Sequence, residues 1–544
     1  MKSIYLYIFF FLFALTSSEF TYLDFLKTDG SQIKNNYGKG NCVYLRGINI
    51  GNLFVQESWM SSTEARDQKT INEILETRFG RDYKNELIEH YESSFLTLDD
   101  FDKFQDLGMS VLRVPFTYMN LYEKNDQGQW RLKPNGFNRL DWIIEQCSKR
   151  GIYVILDLHG AFGSQNGQDH SGELIDNIED VTFYRDSNLR QLTIDLWKEV
   201  ANRYKGNATI AAYDLLNEPG EKAINTQSYH WDYYNELYNA IRSVDPDHII
   251  TMEACWTGND LPQPSEYGWQ NVMYQFHHYV FDCKTDLDCQ KLAIDNLVNS
   301  MSKFNTIPLY IGEFTLFELE EAWSYNLNKF SSLGIHYSSW NYKSNNKGTW
   351  GVYDQKGTDI VNPANADASE ILRVWGPDVV GTGNKSFNSL VYNQLKSNLP
   401  GTVYFMKYAL EDKNYFTLKV LNTNKYVSAD VYGTAQLRAD RDTTGTWEHF
   451  FMYNNDDGTV SIQSRANNKF LCAIFDNWDG LAPIIPRSNH IDDWEKFYVE
   501  YISDNVIALK TYTNAKYVKN EDTWVRAVGT VVEDSTKFQI TYLG

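Results

Sequence analysis

Between residues 42 and 343 the chain alternates short β-branched or aromatic runs with longer stretches whose apolar residues recur at helical spacing. This alternation is typical of strand–helix units on a parallel sheet. Eight units of this kind are enough to close a barrel. The runs predicted to be strands are 43–50, 111–116, 152–158, 210–216, 249–253, 272–279, 309–313 and 336–342.

A doubly wound open sheet would show the same alternation. Such a sheet normally carries a glycine-rich phosphate loop after its first strand, and RGINIGN at 46–52 lacks the GxGxxG spacing. We therefore predict an α/β fold, a (β/α)8 TIM barrel, over residues 19–385. Functional side chains of such barrels gather where the strands end. Polar residues that the pattern places at strand ends are Arg113, His159, Asn217, Glu218, His277, Tyr279 and Glu313.

The last part of the chain has a different character, with short predicted strands and turns rich in Asn, Asp and Gly. Three segments align there, LKVLNTNKYV at 418–427, IQSRANNKFL at 462–471 and ALKTYTNAKYVK at 508–519. A propeller needs about four or more blades, so three copies favour a closed threefold β module. The repeats resemble the fascin-like β-trefoil. We predict a linker over 386–400 and an all-β trefoil over 401–544.

Residues 1–18 have the three-part layout of a secretory signal peptide, with Lys2, an apolar run over 4–15 and small residues at 16–18. A membrane anchor is the alternative, but it needs about 20 apolar residues. We therefore predict a secreted protein with no membrane partner. The sequons at Asn207 and Asn384 fit a secreted glycoprotein. The net charge of −21 repels phosphate backbones, so no nucleic acid partner is expected.

Cysteine usage adds one structural expectation. Cys283 and Cys289 flank a polar segment, where a local bridge would restrain a surface loop. Cys147 falls in a helical pattern and is interpreted as buried apolar filler.

Two glutamates, Glu218 in LLNEP and Glu313 in IGEF, each follow a buried-looking strand. Placing a carboxylate in a barrel mouth costs desolvation energy, so each of these glutamates is expected to have either a structural or a functional role that offsets this cost. The structural alternative is a salt bridge with Arg113. The functional interpretation is retaining glycoside hydrolysis, which needs two carboxyl groups about 5–5.5 Å apart. We expect the pair to share one proton and Glu218 to donate it.

The neighbouring residues suit the same chemistry. Asn217 can hydrogen-bond a sugar 2-OH, and Arg113 can hold Glu313 ionised. His277 and Tyr279 share one strand face, while His278 points the other way and is predicted to pack in the core. No HExxH motif or close carboxylate–histidine spacing is present, so we predict no metal and no cofactor. Trp340, at the last strand end, is predicted to form a platform for a sugar ring.

The motifs RGINIGN, LRVPF, LDLHGAFGSQNG, LLNEP, FHHY, IGEF and SSWNYK, spread over residues 42–350, resemble glycoside hydrolase family 5 of clan A, in its exo-β-1,3-glucanase-like branch. The resemblance implies that Glu218 is the acid/base and Glu313 the nucleophile. It also implies that six residues line the −1 sugar site: Arg113, His159, Asn217, His277, Tyr279 and Trp340.

The chain departs from this branch at two places. Phe162 and Tyr342 stand where the branch usually has Pro and Trp, and Gly51-Asn52-Leu53 replaces Gly-Gly-Trp. Together the observations predict a secreted retaining β-glucan hydrolase with a polysaccharide substrate, cleaving β-1,3 or alternatively β-1,4 bonds. The rival hypothesis is a non-catalytic lectin-like or adhesion protein. In either case the trefoil could bind carbohydrate.

Overall fold

The computed structural model describes residues 20–177, 180–220, 227–254, 261–345, 350–355, 359–384, 386–398, 415–429, 436–455, 459–467, 469–475, 480–488, 491–503 and 505–543. The predicted signal peptide, 1–18, lies outside the described residues. Of the predicted linker, 386–400, residues 386–398 are described, and they include the helix Ser389–Asn398, whose Val391 and Leu395 are buried. The chain divides into two compact units, Met1–Leu399 and Pro400–Gly544.

Eight parallel strands close a barrel in the first unit, which confirms the predicted TIM barrel. Each strand pairs with the next in the chain, and the eighth pairs with the first. Six of the eight predicted starts agree exactly with the observed ones, whereas seven of the eight predicted ends differ by one to three residues, and only 249–253 agrees at both ends. The strands are β1 Arg46–Asn49, β2 Val111–Thr117, β3 Tyr153–Gly160, β4 Ile210–Asp214, β5 Ile249–Glu253, β6 Val272–His278, β7 Leu309–Phe314 and β8 His336–Ser339.

Helices surround this barrel, and their ends follow local sequence rules. The helix Gln68–Phe79 begins where the Asp67 side chain accepts a hydrogen bond from the backbone N–H of Thr70, and it ends at Gly80, whose φ of 82° suits glycine. The longer helices are Gln68–Phe79, Arg81–Phe95, Leu98–Leu107, Asn138–Ser148, Ser187–Tyr204, Gln227–Arg242, Leu287–Met301, Glu320–Ser332, Ala368–Val374 and Ser389–Asn398.

The barrel strands are buried on both faces, as expected of a parallel sheet covered by helices. Their outward apolar side chains join the helices in one extended core, with Trp197, Trp323 and Trp375 among its largest fully buried members. This rigid packing fixes the strand ends on which the polar residues stand. No described helix is long and apolar enough to cross a bilayer.

The second unit is all-β, with twelve described strands in three successive groups of four. Six strands close a ring through antiparallel pairs, and a short hairpin follows the first strand of each group. Each group also holds a single helical turn before its last strand, at Thr446–Glu448, Asp493–Glu495 and Asp534–Thr536. The strands are β9 Phe416–Val420, β10 Tyr426–Ala429, β11 Leu437–Arg441, β12 Phe450–Asn454, β13 Val460–Ser464, β14 Phe470–Ala473, β15 Ile484–Ser488, β16 Phe497–Ser503, β17 Val506–Thr511, β18 Tyr517–Glu521, β19 Trp524–Gly529 and β20 Lys537–Tyr542.

Both cysteine expectations agree with the structure. Cys283 and Cys289 form a disulfide with their Cα atoms 5.7 Å apart, just before and within the first turn of the helix Leu287–Met301. Cys147 is fully buried, and burial raises the pKa of its thiol well above the usual range.

Candidate active site

A buried arginine organises the floor of the barrel mouth. Arg113 is the third residue of β2 and not its last, so the prediction that it ends the strand is wrong. Its long side chain nevertheless contacts Glu313 near the end of β7. The guanidinium is fully buried among three carboxyl groups, which raise the pKa of Arg113 against the opposing effect of burial. Its partners, at 2.8 to 3.2 Å, are Asn49, Asp157, Asp214, Asn217 and Glu313.

Glu313 lies near the end of β7 with both carboxylate oxygens occupied. Arg113 Nη1 lies 2.8 Å from Oε1, and the hydroxyl of Tyr279 donates to Oε2 at 2.9 Å. Only 6% of the Glu313 side chain is exposed. Donors to a buried carboxylate stabilise its charged form, so this environment suits an ionised nucleophile.

Glu218 follows β4 in a conformation that few residues adopt, with φ at +42°. Its backbone N–H donates to Glu253 Oε2 at 2.7 Å, which holds the main chain in this position. The side chain is 34% exposed, far more open to solvent than Glu313. An accessible carboxyl group suits proton exchange with a leaving group or water.

The two glutamates meet across the mouth. One carboxylate oxygen of each, together with a ring nitrogen of His277, lies within 4.8 Å of the others. This separation belongs with the short carboxyl spacing of retaining glycosidases and not with the longer spacing of inverting ones. Two carboxylates and an imidazole could also ligate a cation, but the 2.9 Å hydrogen bond between His277 and Glu218 already gives these two groups a reason to lie together.

Two imidazoles flank Glu218. His277 Nδ1 lies 2.9 Å from Oε1, and His170 Nε2 lies 3.1 Å from Oε2. Burial would raise the pKa of Glu218, but His170 and His277 overcome it and hold that pKa well below its usual range. The expectation that Glu218 carries the shared proton stays a prediction, and the two imidazoles are the groups that compete with Glu218 for it.

The histidine pair on β6 lies as the strand alternation predicts. His277 faces the mouth, where the register pairs it with Glu313 on β7 after a bulge at Phe276 and His277. Burial lowers the pKa of His277, whereas Glu253, Glu313 and Glu218 raise it to about 10. His278 is buried, which agrees with the predicted core position, and burial lowers its pKa to about 4.

Trp340 forms one wall of the site at the end of β8. It is 4% exposed, and its ring stacks against His159 with centroids 5.5 Å apart and planes 10° apart. His159 Nδ1 lies 2.6 Å from Asp157 Oδ2, and burial lowers the pKa of His159 to about 3, so the ring stays neutral. Gly51 leaves room for Trp340, because a Cβ there would lie 2.7 Å from Cζ2 of the indole.

The residues that depart from the glucanase branch all pack inward. Leu53 joins the barrel core, Phe162 stacks on Tyr118 with centroids 4.4 Å apart, and the Tyr342 hydroxyl donates to Asp100 at 2.8 Å. These positions therefore act on the site through packing and not through direct exposure to the mouth.

Sequence reasoning missed three charged residues of the mouth. Glu253 ends β5, a position that could have been noticed because IITME is a buried run closed by an acid. Burial raises the pKa of Glu253 well above its usual range, with His277 opposing. Glu57 is also buried, which raises its pKa to about 7. His170 stands on the single helical turn Asp169–Ser171 in the loop after β3, where no periodic signal marks it.

Comparison with known proteins agrees with this barrel. A β-xylosidase of Phanerodontia chrysosporium is 32% identical over 257 residues, which cover 47% of this chain and 52% of that protein. A probable glucan 1,3-β-glucosidase A of Aspergillus fumigatus is 28% identical over 246 residues, 44% of this chain and 56% of the relative. The glucan 1,3-β-glucosidase of Candida oleophila is 27% identical over 262 residues, 44% of this chain and 59% of the relative. The chain thus matches somewhat over half the length of these curated relatives.

A solved structure, rutinosidase from Aspergillus niger, aligns with a TM-score of 0.47 at 18% identity, over 55% of this chain and 90% of its own. At that score the fold is defined by the strand pairings described above and not by the likeness. Residues 79–346 match the family described as Cellulase (glycosyl hydrolase family 5). The match covers just under half of the chain and includes seven of the eight barrel strands, β2 to β8.

Proposed function

We propose that this protein is a secreted hydrolase of β-glucans that cleaves β-1,3 glucosidic bonds with retention of configuration. The observation that carries the proposal is the approach of Glu218 and Glu313 to within 4.8 Å at the ends of β4 and β7. Relatives named as glucan 1,3-β-glucosidases support the choice of linkage. The β-1,4 linkage is the alternative.

In the first step Glu313 attacks the anomeric carbon while the proton of Glu218 passes to the glycosidic oxygen. The bond between the anomeric carbon and that oxygen breaks, and the leaving sugar departs as a neutral alcohol. Arg113 and Tyr279 hold Glu313 charged and oriented before the attack. In the second step Glu218 takes a proton from water, whose oxygen displaces Glu313 from the anomeric carbon.

The remaining residues are proposed to bind the sugar that is cleaved. Asn217 Oδ1 accepts from Arg113 Nη2 at 3.0 Å, which leaves the amide N–H group to donate to a sugar 2-OH. His159, His277 and Trp340 complete the −1 site, with the indole as a flat wall for the ring.

The test compares wild type with Glu218→Ala and Glu313→Ala on laminarin and on 2,4-dinitrophenyl β-glucoside. Glu145→Gln, on the exposed face of the helix Asn138–Ser148, is the matched control. Wild type and control should release glucose whose first-formed anomer is β by NMR. Azide should give β-glucosyl azide with Glu218→Ala and α-glucosyl azide with Glu313→Ala. Release of α-glucose first, or full activity in either variant, would contradict the proposal, and no release by wild type would favour a lectin.

We further propose that the second unit is a fascin-like β-trefoil that holds carbohydrate. The closed six-stranded ring and the threefold order of β9 to β20 support the fold assignment. Binding of the isolated unit to particulate β-glucan, measured by sedimentation, tests the ligand.

A further inference from the structure

His170 contacts the proposed acid/base directly, and its own neighbours restrict where a proton can sit. Its Nε2 lies 3.1 Å from Glu218 Oε2 and 3.0 Å from Asn166 Nδ2. A ring nitrogen carries either a hydrogen or a lone pair, so it cannot donate to one neighbour and accept from the other at once.

The orientation of the Asn166 amide is fixed by its surroundings. Its Oδ1 accepts from the backbone N–H of Gln168 at 2.9 Å and from the hydroxyl of Ser171. Its Nδ2 therefore faces His170, and it also donates to the backbone carbonyl of Glu218 at 3.1 Å. An amide N–H group that points at Nε2 is satisfied only when Nε2 accepts.

The proton between His170 and Glu218 can therefore sit on either of two atoms, Nε2 of His170 or Oε2 of Glu218. On Nε2 it forms an imidazolium that donates to Glu218, but this hydrogen also faces the Asn166 N–H group. On Glu218 Oε2 it donates to Nε2, which accepts from both neighbours. The first arrangement is favoured by charge and the second by hydrogen bonding, and the two positions of the proton lie on atoms only 3.1 Å apart.

We propose that His170 is a positioning residue that shares the acid proton with Glu218, with Asn166 biasing that proton toward the carboxyl group. This inference rests on the function proposed above. During cleavage the proton passes from Nε2 to Glu218 and from Glu218 to the glycosidic oxygen, and His170 is left neutral. When water attacks in the second step, its proton returns to the same pair.

The electrostatic surroundings keep the proton in the pair well above neutral pH. Burial lowers the pKa of His170, but Glu218, Glu57 and Glu313 raise it to about 9. A free glutamic acid in water would lose its proton near pH 4.3. The pair therefore extends the pH range over which Glu218 can act as an acid. Among the described residues, the titratable groups that interact with this pair are Glu57, Asp157, His159, Glu253, His277, Tyr279 and Glu313.

The test is the pH dependence of kcat/KM for wild type, His170→Gln and the control His90→Gln, whose ring contacts the Leu372 carbonyl outside the mouth. Each is assayed on methyl β-glucoside, whose leaving group needs a proton, and on 2,4-dinitrophenyl β-glucoside, whose leaving group does not. For His170→Gln on the methyl glucoside we expect the basic limb to move down by about one pH unit or more, a loss of at least about fivefold at pH 9. The dinitrophenyl glucoside should be cleaved within about twofold of wild type.

An unchanged basic limb in His170→Gln, or equal losses on both substrates at every pH, would overturn the inference while leaving the proposed function intact. Failure of wild type to cleave either glucoside would instead overturn the proposed function and the inference with it. A second measurement does not depend on that variant being active. In wild type the 15N signal of His170 should titrate near pH 9, and in Glu218→Gln at least about one unit lower. An unchanged midpoint would also overturn the inference.

Discussion

Replacing Arg113 with Gln removes the only cation that the structure shows within hydrogen-bonding range of Asp157 and Asp214. Both carboxyl groups are fully buried, and the guanidinium contacts them at 3.2 and 2.9 Å. Removing one partner of a buried ion pair leaves the other charge uncompensated, which costs about 3–5 kcal/mol of unfolding free energy. Because Arg113 serves three carboxyl groups, we expect a loss at the upper end of that range.

The pH dependence gives a second, sharper expectation. Burial raises the pKa of Asp157 and Asp214 to about 7, with Arg113 opposing, so the folded protein binds these protons more tightly than the unfolded chain does. Their contribution therefore favours folding at low pH, and it is lost as the pH rises to about 7. Without Arg113 the carboxyl groups can still become neutral at pH 5, but at pH 8 their charges stay buried. The destabilisation of Arg113→Gln should therefore be larger at pH 8 than at pH 5.

The assay is urea unfolding of wild type, Arg113→Gln and a control, Arg150→Gln, at both pH values. Arg150 pairs with Asp102, whose side chain is 67% exposed, and such surface pairs contribute about 0–1 kcal/mol. If Arg113→Gln loses no more than Arg150→Gln, or loses the same amount at pH 5 and pH 8, the reasoning about the buried cluster is refuted.

Three further changes test other parts of the structure. Gly51→Ala should displace Trp340, cost about 1–3 kcal/mol and lower kcat/KM, and unchanged kinetics would show that the indole wall tolerates movement. Cys283→Ser opens a disulfide with a sequence separation of 6, so we expect a loss of about 2 kcal/mol and a melting temperature that no longer responds to reductant. Removal of Pro400–Gly544 should preserve cleavage of soluble laminarin and weaken retention on particulate glucan, whereas equal retention would contradict a tethering role.

The barrel could be predicted from the sequence because each strand is a short apolar run separated by amphipathic helices. The run at 249–253 agrees with β5 at both ends, since all five of its residues are buried. The predicted end of β4 lies two residues beyond the observed one, because Leu215 and Leu216 are as apolar as the strand itself. Apolar character alone does not distinguish a buried strand from the buried turn that follows it.

The approach of Glu218 to Glu313 could also be predicted, because each follows a buried strand and the strands of a barrel end at one mouth. Two neighbours of Glu218, His170 and Glu253, could not be predicted. His170 enters the mouth from a loop after β3, and its approach depends on the amide of Asn166, which no periodic pattern records. Glu253 acts on the backbone of Glu218 from the adjacent strand end, a relation that exists only once the register of the sheet is fixed.

The two glutamates acquire different chemistry from these surroundings, although their sequence contexts are alike. Glu313 is buried, and its two carboxylate oxygens contact the guanidinium of Arg113 and the hydroxyl of Tyr279, so its environment stabilises a negative charge. Glu218 is one-third exposed and bonded to two imidazoles that can give or take a proton. A carboxylate nucleophile has to keep its negative charge until it attacks, whereas an acid/base has to gain and lose a proton in each catalytic cycle. The proposed roles of nucleophile for Glu313 and acid/base for Glu218 therefore rest on what each carboxyl group contacts and not on the local sequence around it.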